Sequence, residues 1–140
     1  MRIDFYLLTA DTVDARRLFT CRLLEKAYQQ EHRVFVYCNN AAEAGALDEL
    51  LWTFKPDSFI PHHLQGEGPE PPPPIQIGYD TEPRGFSDIL LNLSDNIPPF
   101  YTRFQRVIEI VAADESAKIR GREHFRSYRN AGIEPKTHTI

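Results

Sequence analysis

An apolar strand segment, an amphipathic helical segment, a second apolar strand and a second helix fill the first 52 residues, and this order restricts the fold more than any other feature of the chain. Arg2 to Leu8 is rich in Ile, Phe, Tyr and Leu without clean alternation, as in a strand covered on both faces. Asp11-Thr12 offers an N-cap. Val13, Ala15, Leu18, Phe19, Leu23, Leu24, Ala27 and Tyr28 then recur at helical spacing, which predicts a helix to about Gln30. Arg33 to Cys38 reads as a second buried strand, and Asn39-Asn40 caps a helix from Ala41 to Trp52. Strands and helices alternating over short connections imply a parallel sheet with right-handed crossovers.

The second half continues the pattern with one interruption. Pro61 to Pro74, which includes Pro71-Pro72-Pro73-Pro74, is expected to be loop or polyproline II, a stiff surface spacer. Short strands are predicted at Ile75-Gln76-Ile77 and Ile89 to Leu93, and a short helix opened by Pro98 and Pro99 carries Phe100 and Phe104. Val107 to Val111 is read as the last strand. Asp114 then caps a final helix to Asn130, with Gly132 at the stopping position. The expectation is one α/β domain over residues 1–140, three layers (α/β/α) around a mostly parallel sheet.

Hydrophobic residues make up 41% and charged residues 26%, close enough to globular averages to exclude a disordered chain. No apolar run approaches a membrane span, and the N-terminus lacks a signal-peptide layout. Cys21 and Cys38 each lie in an apolar segment and read as reduced core thiols, as in a cytoplasmic protein. The net charge of −4 hides an asymmetry. Residues 1–116 hold 10 Lys and Arg against 18 Asp and Glu, whereas residues 117–140 hold 6 against 2. A basic final helix on an acidic body concerns partners more than fold.

A layered α/β pattern invites a nucleotide, but the phosphate loops are missing. The first strand leads into Leu8-Thr9-Ala10-Asp11-Thr12, which has no glycine and places an acid where phosphate would sit. Gly66-Glu67-Gly68 is followed by Pro69 and lies outside a strand-to-helix turn. No cofactor or metal site is read. The rings of His62 and His63 point apart in an extended chain, and neither cysteine has a Cys-x-x-Cys partner. An enzyme would need a closed polar pocket at the C-terminal ends of the strands, near Leu8, Cys38 and Leu93, and this region is expected to be packed shut.

Two surfaces call for partners. On the last helix Lys118, Arg122, Arg126 and Arg129 form one stripe, and Ala117, Gly121, Phe125 and Tyr128 the adjoining one. A glycine inside a helix costs about 1 kcal/mol against alanine, and close approach by a packed strand is one reason to keep it. A cationic rim over an aromatic floor suits an acidic peptide or single-stranded nucleic acid, and the acidic body favours the peptide. The second surface follows the second helix, where Leu47, Leu50, Leu51, Trp52 and Phe54 exceed one apolar face and Phe59 follows among prolines.

At these residues the chain resembles the chi subunit family of the bacterial DNA polymerase III holoenzyme. The likeness runs through Phe5-Tyr6-Leu7-Leu8, Leu47-Asp48-Glu49-x-Leu51-Trp52, Ser58-Phe59-x-Pro61-His62-x-Leu64 with Gly66-Glu67-Gly68-Pro69, Asp88-Ile89-Leu90, and Arg122-Glu123-x-x-x-x-Tyr128-Arg129-x-Ala131-Gly132. It implies a fold related in shape to mononucleotide-binding folds but without their phosphate loop. It also implies a non-catalytic clamp-loader accessory that binds the acidic C-terminal tail of single-stranded DNA-binding protein. By position Arg122 would hold the terminal carboxylate and Lys118 the tail acids, with Phe125, Val111 and Tyr128 around the apolar pocket. The family often has tyrosine in place of Phe125. A second interface, to a psi subunit or an XPD-like helicase, would use Trp52, Phe59, Ile60, Pro61, His62 and Leu64. DNA would be reached only indirectly. Direct single-stranded nucleic-acid binding by the basic helix, and a small α/β enzyme with an unrecognised site, are the alternatives.

Overall fold

A computed structural model describes residues 1–68 and 70–140; Pro69, in the expected proline-rich spacer and in one of the motifs above, lies outside them. Strand β1 (Arg2–Leu7) leads to α1 (Val13–Gln29), β2 (Val34–Tyr37) and α2 (Ala41–Thr53). Then come β3 (His62–Leu64), β4 (Ile75–Gly78), β5 (Ile89–Asn92), a 3₁₀ turn (Pro99–Arg103), β6 (Arg106–Val111), α3 (Glu115–Asn130) and β7 (Lys136–Thr139). All seven strands are parallel, in the order β3-β4-β2-β5-β6-β1-β7.

Period-two alternation deals the strand residues to two cores. Val34, Val36, Ile89, Leu91, Ile108 and Ile110 face α1 and α2, which contribute Cys21, Leu24, Leu47 and Leu51. Ile3, Phe5, Phe35, Leu90, Val107 and Val111 face the other way, against Tyr128 of α3 and Phe100 and Phe104 of the 3₁₀ turn. The result is the expected three layers. Burial raises the Cys21 thiol to about 11 and the Cys38 thiol to about 12, so both stay protonated at neutral pH.

The helix signals act as read. Thr12 Oγ1 accepts from Ala15 N at 3.1 Å, Asn40 Oδ1 from Glu43 N at 2.9 Å, and Asp114 Oδ2 from Ala117 N at 3.1 Å. At the far end of α3, Gly132 takes φ +93, while Gly132 N donates to Arg129 O and Ile133 N to Tyr128 O. This is a Schellman stop, which a left-handed glycine permits.

Two strands differ from expectation. His62–Leu64, inside the stretch read as spacer, pairs with β4 as an edge strand. Lys136–Thr139 pairs with β1 beyond the segment read as the last strand. Both carry polar residues because only one side of an edge strand is paired, so neither shows the apolar run of a central strand.

Candidate functional site

Helix α3 lies on the sheet through its small and aromatic stripe. Gly121 sits over β6 so closely that a Cβ there would come within 2.9 Å of Val111 Cγ2. The helix interior glycine therefore marks the close approach to a strand that its sequence position suggested. Beside it opens a groove of about 320 Å³ lined by Phe5, Leu7, Val111, Phe125 and Thr137, with Lys118 and Arg122 at the rim. Phe125 leans on Phe5 with ring centroids 5.3 Å apart.

The rim cations are largely uncommitted. Arg122 reaches Glu115 Oε1 only at 3.5 Å, with both side chains well exposed, so the pairing is weak and screened. Lys118 makes no ion pair among the described residues. A guanidinium beside an apolar floor can take a carboxylate through two parallel N–H bonds while the floor takes the apolar group that carries it.

Beneath α3 lies a buried polar cluster. The Glu109 carboxylate accepts from Asn92 Nδ2 at 2.9 Å, Tyr128 Oη at 2.7 Å and His124 Nδ1 at 2.9 Å. His124 Nε2 faces Asp95 O at 2.8 Å. Both ring nitrogens thus meet acceptors, which suits the doubly protonated imidazolium. Burial works against that charge, but the hydrogen bond and charge of Glu109 outweigh it and raise the His124 pKa above its ordinary value. Burial and Glu109 together push the Tyr128 phenol far upward.

The groove corrects one site assignment. Tyr128 has no exposed surface and its hydroxyl is spent on Glu109, so it is a core residue that anchors α3 and cannot touch a ligand. Lys118, Arg122, Phe125 and Val111 do come together. Phe5, Leu7, Leu8, Ala112 and Thr137 complete the lining and were not predicted. Phe5 reads in the sequence as strand core and as part of the family likeness, and Thr137 arrives on the edge strand β7, whose polar residues give no strand signal.

The second surface lies at the other side of the sheet. Trp52, at the end of α2, is 48% exposed and Phe59 67% exposed, with their rings 5.6 Å apart. His62 packs beneath the indole at 4.2 Å between centroids. Its Nδ1 lies 2.6 Å from Ile60 O and its Nε2 3.0 Å from Asp48 O, which fixes the ring against α2. Here too there is a correction: Ile60 is 1% exposed and His62 6%, so both support the patch from below, while Trp52, Phe59, Pro61 and Leu64 present it. His63 points to the opposite side, toward Gln76, so the two imidazoles diverge. Among the described residues no cluster of three metal-ligating side chains occurs, and no helix is long and apolar enough to cross a membrane.

The C-terminal ends of the strands are not packed shut. A crevice of about 160 Å³ opens there between Thr12, Arg16, Ser94, Asp114, Arg120 and His124. The cause is topological: β1 passes its chain to α1 on one face and β6 passes it to α3 on the other, so the two loops part. Most of the charged groups around it are engaged, whereas Asp11, exposed at its mouth, makes no side-chain hydrogen bond or ion pair among the described residues. Asp114 caps α3, Arg120 pairs with Asp95 at 3.3 Å, Arg16 donates to Leu93 O at 3.2 Å, and His124 is held by Glu109.

Fold and site together define a parallel α/β protein that presents a cation-rimmed apolar groove near one edge of its sheet and an aromatic patch toward the other. Residues 1–136 match the family described as DNA polymerase III chi subunit, HolC, and the chain belongs to that family. It is 35% identical to the DNA polymerase III subunit chi of Pseudomonas aeruginosa over 139 residues, covering 99% of this chain and 96% of that protein. It is 35% identical to the Escherichia coli subunit over 141 residues (96% and 95%) and 31% identical to that of Haemophilus influenzae (98% and 96%). The protein is accordingly an accessory subunit of the replicative polymerase III assembly.

Proposed function

We propose that this subunit is a non-catalytic adaptor that grips the acidic C-terminal tail of single-stranded DNA-binding protein. The groove between α3 and β1 carries this reading: about 320 Å³ of apolar space under Arg122 and Lys118 fits a terminal aromatic residue and its carboxylate. Arg122 takes the carboxylate, Lys118 draws in the acids before it, and Phe125 and Val111 receive the aromatic ring. Trp52, Phe59, Pro61 and Leu64 dock the other partner, a psi subunit or an XPD-like helicase, with residues 1–140 acting as one unit in the cytoplasm.

The crevice at the strand ends is the one observation that favours the enzyme reading. His124 cannot serve there as a general base, because that role needs a free lone pair and both of its ring nitrogens already face acceptors. Direct nucleic-acid binding would show a steep fall in affinity with salt, whereas two or three charges on a peptide give a shallow one.

The deciding experiment is an anisotropy titration with a labelled acidic peptide ending in Asp-Ile-Pro-Phe, as free acid and as amide. The free acid should bind, amidation should weaken it about tenfold or more, and Arg122→Ala should cost about 2–4 kcal/mol with the fold intact. Equal binding of both peptides, or an unaffected Arg122→Ala variant, overturns the reading.

A further inference from the structure

On the opposite face of β1, at the N-terminal ends of the strands, a second groove of about 450 Å³ runs beneath the last turns of α1. Its floor is apolar, built from Phe19, Leu23 and Ile108 with the β2 and β5 residues below them. Its wall carries Arg2, Arg22, Lys26 and Arg106 and no Asp or Glu side chain, on a chain whose net charge is −4.

Two of these cations are held in place. The Asp4 carboxylate, fully buried, accepts from Arg106 Nε at 2.8 Å, pairs with Arg2 Nε at 2.9 Å and has His138 Nε2 at 2.8 Å from its other oxygen, while Arg106 Nη2 donates to Tyr6 Oη at 3.0 Å. One anion beneath two guanidiniums leaves a net positive charge and several N–H groups unspent. The other two, Arg22 and Lys26, stand one turn apart on α1 and make no ion pair or side-chain hydrogen bond among the described residues. Lys26 lies in the last turn, where it complements the helix dipole, but Arg22 lies a turn earlier and has no such role.

We infer that this groove is a second docking site, for an internal acidic peptide segment that inserts a bulky apolar side chain beneath α1 and sets its carboxylates against Arg22, Lys26 and the Asp4-held arginines. Charge complementarity and the concave apolar floor select that occupant. Single-stranded nucleic acid fits less well, because its bases need open aromatic faces. Tyr6 is stacked on His138 at 5.0 Å and leans on Phe19 at 5.6 Å. This site is separate from the α3 groove and needs no terminal carboxylate.

The test uses the full chain and a fluorescent peptide, acetyl-Glu-Asp-Phe-Asp-Glu-Leu-Asp-Glu-amide, whose blocked end removes the carboxylate that Arg122 would hold. Saturable binding is expected. It should weaken at least about tenfold in Arg22→Glu/Lys26→Glu and several-fold in Arg22→Ala/Lys26→Ala, and change less than about twofold in Arg122→Ala. Melting temperatures should fall only slightly, since neither α1 side chain has an ion pair or hydrogen bond to lose among the described residues and Lys26 gives up only its exposed interaction with the helix end. The inference fails if the blocked peptide does not bind, or if Arg122→Ala removes binding while the α1 variants retain it. It also fails if oligothymidylate binds more tightly and is lost in the same variants, or if those variants instead abolish self-association of the chain. Failure here leaves the free-acid titration at the other groove untouched.

Discussion

Gly121 shows how one position serves both fold and site. Its missing side chain lets α3 settle on Val111, and the same closeness sets the depth of the groove beside Arg122. In Gly121→Ala the new methyl meets the short, branched Val111 side chain, which has no flexible end to swing away. Overpacking costs about 1–3 kcal/mol, against a helix-propensity gain of about 1 kcal/mol. The variant should therefore melt at a lower temperature and bind the free-acid tail peptide more weakly. A raised melting temperature would mean that α3 can lift off β6 at little cost. Arg122, by contrast, contributes little to the folded state, since its pairing with Glu115 is long and exposed.

Helix α3 is a two-sided element. His124 and Tyr128, one turn apart, tie one side to Glu109, and this leaves Lys118 and Arg122 facing out over the groove. The tie depends on pH. Because the His124 pKa is raised in the folded state, its stabilising contribution is complete below the unfolded value of about 6.5 and is lost as pH rises through the folded one. Thermal melts should show His124→Gln destabilised most below the unfolded value of about 6.5, with the gap to the parent protein narrowing as pH rises above it. A gap that widened with pH would mean the ring is neutral when folded. The periodicity of α3 was legible in the sequence, and so were its Asp114 cap and Gly132 stop. Which aromatic faced inward was not, because Phe125 and Tyr128 both suit an apolar stripe and only a buried Glu109 on the neighbouring strand claims the phenol.

Across the molecule, the strand order keeps the two candidate partner sites apart. The α3 groove lies by β1 and β7 at one edge, and the Trp52–Phe59 patch stands on α2 and β3 at the other. An adaptor needs this separation, since two occupants must be held at once. Trp52→Ala should accordingly abolish capture of a psi subunit or XPD-like helicase in a pull-down while leaving tail-peptide affinity unchanged. With the indole about half exposed, its melting temperature should fall only slightly. A large fall would place Trp52 with the core, and a parallel loss of tail binding would show that the two sites are not independent.

Local chemistry determined the central strands, the three helices and their caps, because apolar runs, 3.6-residue periodicity and Asp, Asn or Thr caps act over a few neighbouring residues. It also marked Lys118, Arg122 and Phe125 as one surface, since positions three and four apart on a helix are neighbours whatever lies around them. The tertiary structure alone decided the rest. The edge strands His62–Leu64 and Lys136–Thr139 exist because a distant partner strand supplies their hydrogen bonds. Ile60 and Tyr128 moved from surface to core, and the crevice at the strand ends opened, because burial and loop separation depend on which faces α1 and α3 cover. The basic groove under α1 gathers Arg2, Arg22 and Arg106 from three elements, and only the sheet brings them together.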